Sequence, residues 1–199
     1  MKTKHFSEVW SKHIVIEPQK KLNIFAASGS GKTSLFNVIT AIKQPDKGQV
    51  LIEEKDIHKN KIGELVSLRK ETTSLVFQDL KLLNGLTVLE NISILDLEIY
   101  DSQKEKLENM MCRLNISDKK HVMLSKLSQG EKQRVAIIRS LFRPFKYLIV
   151  DEPFSHLDEE NKKEAISLIE EEVSNNKASL IMLSLQKEDG LNWDMQLAL

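Results

Sequence analysis

The residues Ala26-Ala27-Ser28-Gly29-Ser30-Gly31-Lys32-Thr33-Ser34 bring glycines, a lysine and hydroxyls together directly after the apolar run Leu22-Asn23-Ile24-Phe25. Glycines in such a loop let successive backbone N–H groups turn inward without Cβ clashes, which makes an anion nest at a helix N-terminus. From there Lys32 can reach the β- and γ-phosphates of a nucleotide, and the Thr33 hydroxyl can ligate Mg²⁺. Ser28, Gly29, Ser30, Gly31, Lys32, Thr33 and Ser34 are therefore candidate nucleotide contacts. The G-x-x-x-x-G-K-[ST] pattern has Ala26 in place of its first glycine, a change that alanine tolerates where φ stays negative.

A second group of reactive residues follows Tyr147-Leu148-Ile149-Val150 in the form of Asp151-Glu152-Pro153. An apolar strand that ends in two carboxylates puts them at the edge where parallel α/β sheets bind ligands. Asp151 suits a Mg²⁺ opposite Thr33, and Glu152 can accept a proton from an attacking water. The third group is Leu127-Ser128-Gln129-Gly130-Glu131-Lys132-Gln133-Arg134. Ser128-x-x-Glu131 reads locally as a capping box that starts a helix running through Val135, Ile138 and Leu141. A helix N-terminus carrying a serine hydroxyl and Gly130 is also an anion site, so the two readings coexist.

Positioning these groups requires strands alternating with helices. Residues 22–25, 74–77, 147–150 and 180–183 are short apolar runs bounded by polar punctuation, as buried strands are. A more exposed strand is expected at 49–53, after the turn Pro45-Asp46-Lys47-Gly48. Leu35, Ile39 and Ile42 space out a helix behind the phosphate loop, as do Ala165, Ile166, Ile169 and Val173 for a later, acidic one. This is an α/β pattern with a mainly parallel core sheet. The alternation stops between residues 81 and 126, where Leu107, Met111 and Leu114 recur at helical spacing. Residues 81–126 are expected to form a small helical subdomain inserted into a core made by 1–80 and 127–199, all within one domain spanning 1–199.

Lys plus Arg and Asp plus Glu number 29 each, so no global positive field exists to hold nucleic acid. The single cysteine excludes an internal disulfide framework and fits a reducing compartment. Cys112 is expected to be a small core residue. No apolar run approaches the roughly 18–20 residues needed to cross a bilayer, and no signal peptide is seen. Any membrane role is expected to come through a partner.

The order of phosphate loop, Gln78 after Leu75-Val76-Phe77, Leu127-Ser128-Gln129-Gly130-Glu131, Asp151-Glu152-Pro153 and Ser155-His156-Leu157-Asp158 resembles the ATP-binding subunit of ATP-binding-cassette (ABC) transporters. Leu86-Thr87-Val88-Leu89-Glu90-Asn91, and Arg134-Val135-Ala136 with Arg139, are similar to the branch serving lipoprotein-releasing, macrolide-exporter and cell-division-type systems. The resemblance implies a P-loop NTPase (RecA-like) core with an inserted helical subdomain, and an ATPase that uses ATP and Mg²⁺. It implies Glu152 and Gln78 as catalytic residues and Thr33, Gln78 and Asp151 as metal ligands. It also implies a homodimer that sandwiches ATP head-to-tail, in which Ser128 and Gly130 complete the partner's site. Ser155 and Asp158 would lie across that interface. Gln78 would link the site to the helical subdomain, whose outer face would receive an integral membrane permease on the inner face of the cell membrane. The protein would thus be cytoplasmic and peripheral, and Trp193-Asp194-Met195-Gln196-Leu197 resembles the last core strand, with no accessory domain expected after it.

The chain departs from the family pattern at several positions. Gln129 stands where many signatures have glycine. After the 180–183 run the family usually has a histidine that contacts the γ-phosphate; Leu185 stands there. Leucine offers a developing transition state no hydrogen bond or charge. Slow hydrolysis is expected, or a dimerisation switch with little hydrolysis, unless another group such as His156 substitutes. His5, Phe6 and Trp10 are the candidates for stacking on adenine, and His13 is expected at a strand start.

Overall fold

The computed structural model describes residues 7–94, 102–187 and 190–199. In chain order its strands are β1 (Lys21–Phe25), β2 (Leu51–Ile52), β3 (Lys55–Asp56), β4 (Thr73–Val76), β5 (Tyr147–Asp151), β6 (Ser179–Ser184) and β7 (Met195–Ala198). Its α-helices are α1 (Lys32–Ile39), α2 (Ile62–Glu71), α3 (Val88–Ser93), α4 (Lys104–Arg113), α5 (Gln129–Leu141) and α6 (Glu159–Asn175). β4-β5-β6-β1-β7 form one sheet in that order, and every pairing in it is parallel. Parallel strands joined through helices are covered on both faces, which is why their sequences are nearly continuous apolar runs.

The period of two along each strand divides the core. Leu148 and Val150 of β5 and Leu180 and Met182 of β6 pack with α5 and α6, through Val135, Ile138, Ala165 and Ile169. Ile149 and Leu183 turn the other way, to Leu22, Ile24, Leu35 and Phe36 around α1. Burying each such aliphatic side chain contributes roughly 1.5–3 kcal/mol. Phe36 also meets Phe77 edge-on, with ring centroids 5.3 Å apart.

Between residues 81 and 126 the described elements are α3, α4 and two short 3₁₀ turns at Ser117–Lys119 and Leu124–Lys126. Leu107, Met110, Met111 and Leu114 are fully buried and continuous with the core beneath α5. The Thr87–Asn91 portion of the branch-like motif has a local task here. Thr87 and Glu90 make a reciprocal capping box on α3. Buried Asn91 returns its amide to the backbone of Leu83 and Thr87.

Several sequence expectations change. The 49–53 strand is an antiparallel hairpin of β2 and β3, and its turn residues Glu53 and Glu54 both have positive φ, as type I′ turns require. α1 ends at Ile39, leaving Ile42 outside it and half-exposed. Cys112 is exposed, because the apolar stripe of α4 passes through Leu107, Met111 and Leu114 and leaves it on the other face. His13 lies in no strand, since β1 begins at Lys21. Among the described residues no helix is long and apolar enough to cross a membrane.

Candidate active site

β1, β6 and β5 run in the same direction side by side, so the segments leaving their carboxyl ends share one edge. The chain leaving β1 is the phosphate loop. Gly31 caps α1 at φ 103°, a left-handed conformation that a Cβ would strain. Ala26 keeps a negative φ, so its replacement of glycine is free of that penalty. Lys32 is only 5% exposed and folds beneath the loop. Its Nζ donates to the carbonyls of Ala26 and Ala27 at 2.9 and 3.0 Å and stands 3.2 Å from Glu152 Oε1. Thr33 Oγ1 donates to Gln78 Oε1 at 2.9 Å, which joins α1 to the segment following β4.

Asp151, the last residue of β5, is 1% exposed. Among the described residues neither of its carboxylate oxygens makes a hydrogen bond of ordinary geometry, although the Thr33 hydroxyl is near enough to act on it. Burial, with the neighbouring Glu152 carboxylate adding to it, pushes its pKa up to about 6 against the smaller opposing pull of Thr33 and Lys32. A buried carboxylate left this way is costly, and the burial of Leu148, Ile149 and Val150 in the same strand offsets it. One buried carboxylate beside the Thr33 hydroxyl and the Gln78 carbonyl is a hard-oxygen donor set. It fits Mg²⁺, which takes one or two carboxylates and completes its shell with waters and phosphate oxygens. Among the described residues no group of three or more His, Cys, Asp or Glu could hold a metal ion.

Glu152 follows in a left-handed backbone conformation, φ 49°, which costs a non-glycine residue about 1–3 kcal/mol. Three hydrogen bonds hold it there: its N–H donates to Leu183 O at 2.9 Å, and its carbonyl accepts from Gln133 Nε2 at 3.0 Å and at greater length from Ser155 N–H, at 3.4 Å. The turn aims its carboxylate back at Lys32.

The remaining sequence-derived residues lie on the neighbouring α5 and the loop after Pro153. Ser128 caps α5 in the expected reciprocal box, Glu131 N–H to Ser128 Oγ at 3.3 Å and Ser128 N–H to Glu131 Oε2 at 2.7 Å. Hydrogen bonds to its carboxylate, first from the Ser128 backbone N–H and then from the Ser128 side chain, hold the Glu131 carboxyl below its usual range. At Gly130 a Cβ would come within 2.7 Å of the His156 carbonyl oxygen, so this position admits only glycine without a shift of backbone. Asp158 caps α6, accepting from Asn161 N–H and Asn161 Nδ2, both at 2.8 Å; the first of these bonds is the main reason its carboxyl sits low. Ser155 Oγ lies 3.4 Å from Gln133 Oε1. Thus Lys32, Thr33, Gln78, Asp151 and Glu152 converge, whereas Ser128, Gly130 and Asp158 are linked to them through backbone and Gln133.

Leu185 follows β6 at the same edge, and its side chain is half-exposed. The chain around it is pinned by Asn23, a fully buried residue in the middle of β1. Asn23 accepts from Ser184 Oγ at 2.9 Å and donates toward the carbonyls of Gln186 and Lys187. Sequence reasoning assigned no role to Asn23 or Gln133. An amide inside the apolar run Leu22-Asn23-Ile24-Phe25 was a visible signal for the first; nothing local marked the second. Trp10 is 43% exposed, while His5 and Phe6 lie outside the described residues.

The sequence matches the family model described as ABC transporter over residues 12–155. A lipoprotein-releasing system ATP-binding protein, LolD of Treponema denticola, is 31% identical over 192 residues, covering 92% of this chain and 85% of its own. A cell division ATP-binding protein, FtsE of Bacillus subtilis, is 32% identical over 179 residues, covering 88% and 77%. Among solved structures, a bacterial ABC transporter cassette described as dimeric, MJ0796, has the same fold with a TM-score of 0.79 at 23% identity. That alignment covers 87% of this chain and 78% of the cassette.

Proposed function

This chain belongs to the ABC transporter family, and on that premise we propose that it is the ATP-hydrolysing subunit that drives a membrane permease. As a member of that family it binds ATP and is an ATPase. The observation that carries the proposal is the convergence on one sheet edge of Lys32, the Thr33–Gln78 pair and the buried Asp151 carboxylate, with Glu152 held 3.2 Å from Lys32. Lys32 would exchange its loop carbonyls and Glu152 for the β- and γ-phosphates, while backbone N–H groups of 28–34 cradle the same anion. Thr33, Gln78 and Asp151 would hold Mg²⁺, which supplies charge neutralisation at the β- and γ-phosphates. Released from Lys32, Glu152 would accept the proton of the attacking water.

Two copies would close head-to-tail over two ATP molecules, Ser128 and Gly130 of each completing the other's site in a closed twofold arrangement. The capping box holds the Ser128 hydroxyl at the start of α5, where it would turn from the Glu131 carboxylate to a phosphate of the partner's nucleotide. Residues 81–126 would form the coupling lobe that meets the permease, with the protein peripheral on the cytoplasmic membrane face. The names of the relatives, a lipoprotein-releasing and a cell division ATP-binding protein, support that assignment. In a steady-state ATPase assay, Glu152→Gln is expected to lower turnover about 100-fold or more. Normal turnover in that variant refutes the role given to Glu152.

A second reading, an ATP-dependent dimerisation switch with little hydrolysis, draws support from Leu185. Its side chain occupies the site edge without any hydrogen-bonding group. On this reading ATP stabilises dimers of the unmutated chain, and Leu185→His raises turnover about tenfold or more. Brisk turnover by the unmutated protein, unchanged by that substitution, removes it.

A further inference from the structure

The carboxamide of Gln133 is the point through which α5 grips the turn that carries Glu152. Gln133 is 1% exposed, and both ends of its amide are used. Nε2 donates to the Glu152 carbonyl at 3.0 Å. Oε1 accepts from the His156 backbone N–H at 3.1 Å and lies 3.0 Å from His156 Nδ1. A backbone carbonyl only accepts and a backbone N–H only donates, so these two partners define the orientation of the amide. His156 Nδ1 lies equally close, 3.0 Å, to the Ser155 hydroxyl, so Gln133, Ser155 and His156 form one cluster at the head of the loop.

The same turn is strained. Glu152 has a positive φ, and its other backbone restraints among the described residues are the bond from its N–H to Leu183 O at 2.9 Å and a longer one to its carbonyl from Ser155 N–H at 3.4 Å. The direction of the Glu152 carboxylate follows from that φ. Removing the shorter of the two bonds at its carbonyl, the one from Gln133, would let the turn relax toward the ordinary right-handed or extended regions. One helical turn before Gln133, the contact of Gly130 with the His156 carbonyl closes α5 onto the same loop.

We propose that Gln133 is a positioning residue for hydrolysis: it holds Glu152 in its left-handed turn, and it ties that turn to the 155–158 loop through the same amide. It touches neither nucleotide nor water itself. Motion of α5 or of the loop is thereby passed to the carboxylate. The hydrolytic part of this inference rests on the function proposed above; the mechanical part does not.

Gln133→Met keeps the length and burial of the side chain but removes both hydrogen bonds, and Gln133→Glu keeps the acceptor while losing the donor. In single-turnover assays each is expected to lower the rate of hydrolysis about 10–100-fold, with the Kd for ATP within twofold of the parent. Neither is expected to lower the rate further in a Glu152→Gln background, because the two residues act as a unit. A rate within twofold of the parent, a parallel loss of affinity, or multiplicative losses in the double variant would overturn the proposal. Amide hydrogen exchange provides a readout independent of turnover. The Glu152 and His156 amides should exchange about tenfold faster or more in Gln133→Met, with Leu148, Ile149 and Val150 unchanged. Parent-like exchange at those two amides sinks the inference even in an inactive protein. A parent that fails to hydrolyse ATP, or a harmless Glu152→Gln, instead sinks the functional reading, and exchange then decides the inference alone.

Discussion

The phosphate-loop region and the start of α5 carry residues of similar chemical rank, yet they are held in opposite ways. Around Lys32 the functional groups are strained or unsatisfied. Asp151 is buried with no hydrogen bond of ordinary geometry among the described residues, Glu152 has a left-handed backbone, and Thr33 reaches Gln78, 45 residues away, for a partner. At the starts of α5 and α6 the caps are satisfied locally, Ser128 by Glu131 three residues on and Asp158 by Asn161 likewise, and Gly130 lies close against His156. The first region stores free energy that a cation and a polyphosphate can recover. The second presents a rigid surface whose stability does not depend on a ligand. A motor needs both: one side that changes when nucleotide arrives and another that presses on it unchanged.

Apart from the loss of hydrolysis expected of Glu152→Gln, the largest test of this contrast is thermodynamic and concerns Asp151. Its folded pKa, about 6, lies above that of an unfolded aspartate. The folded chain therefore binds the proton more tightly, and the penalty of the carboxylate is absent below about pH 4 and grows as pH rises through 6. Asp151→Asn is expected to stabilise the nucleotide-free protein by about 1–3 kcal/mol at pH 8. The gain should shrink at pH 5 in denaturant titrations, and Mg²⁺-dependent ATP binding should weaken. An equal gain at both pH values would show that charge burial is not its source.

Next comes Gly130→Ala. Helix propensity alone favours alanine by up to about 1 kcal/mol, but an added Cβ within 2.7 Å of a backbone carbonyl forces a shift that costs about 1–3 kcal/mol. A net loss of about 1–2 kcal/mol is expected; a higher melting temperature would mean that the helix is free to move away from His156. The smallest effect belongs to Ser128→Ala, about 1 kcal/mol from the lost cap. ATP affinity of the isolated monomer should not change. A large loss of monomer affinity would place Ser128 in its own chain's site and erase the distinction between the regions.

The two regions also differed in how legible they were. The capping box at Ser128 follows from residues three apart, and Asp151 at a strand tip follows from four apolar residues before it. The α/β class and the mainly parallel sheet followed from short apolar runs separated by helical ones. Where the period was weak the reading faltered. The hairpin of β2 and β3 turns on two glutamates at positive φ, residue types that carry no such signal. Cys112 shares a helix with a buried stripe but sits a third of a turn away from it. Gln133 lay in plain view inside a motif, and its partners, Glu152 and His156, come from a loop about twenty residues on.

The sequence by itself determined the parts whose physics is local. The anion-binding loop, the helix caps, the strand that ends in carboxylates and the leucine at position 185 all act within a few residues of chain. Only the tertiary structure decided the couplings: Lys32 against Glu152, Thr33 against Gln78, Asn23 beneath the loop after β6, and Gln133 across from the strained turn. Those contacts span between 19 and 164 residues. They exist because a parallel sheet brings the carboxyl ends of β1, β5 and β6 to one edge, and no local propensity encodes which buried polar group will meet which there.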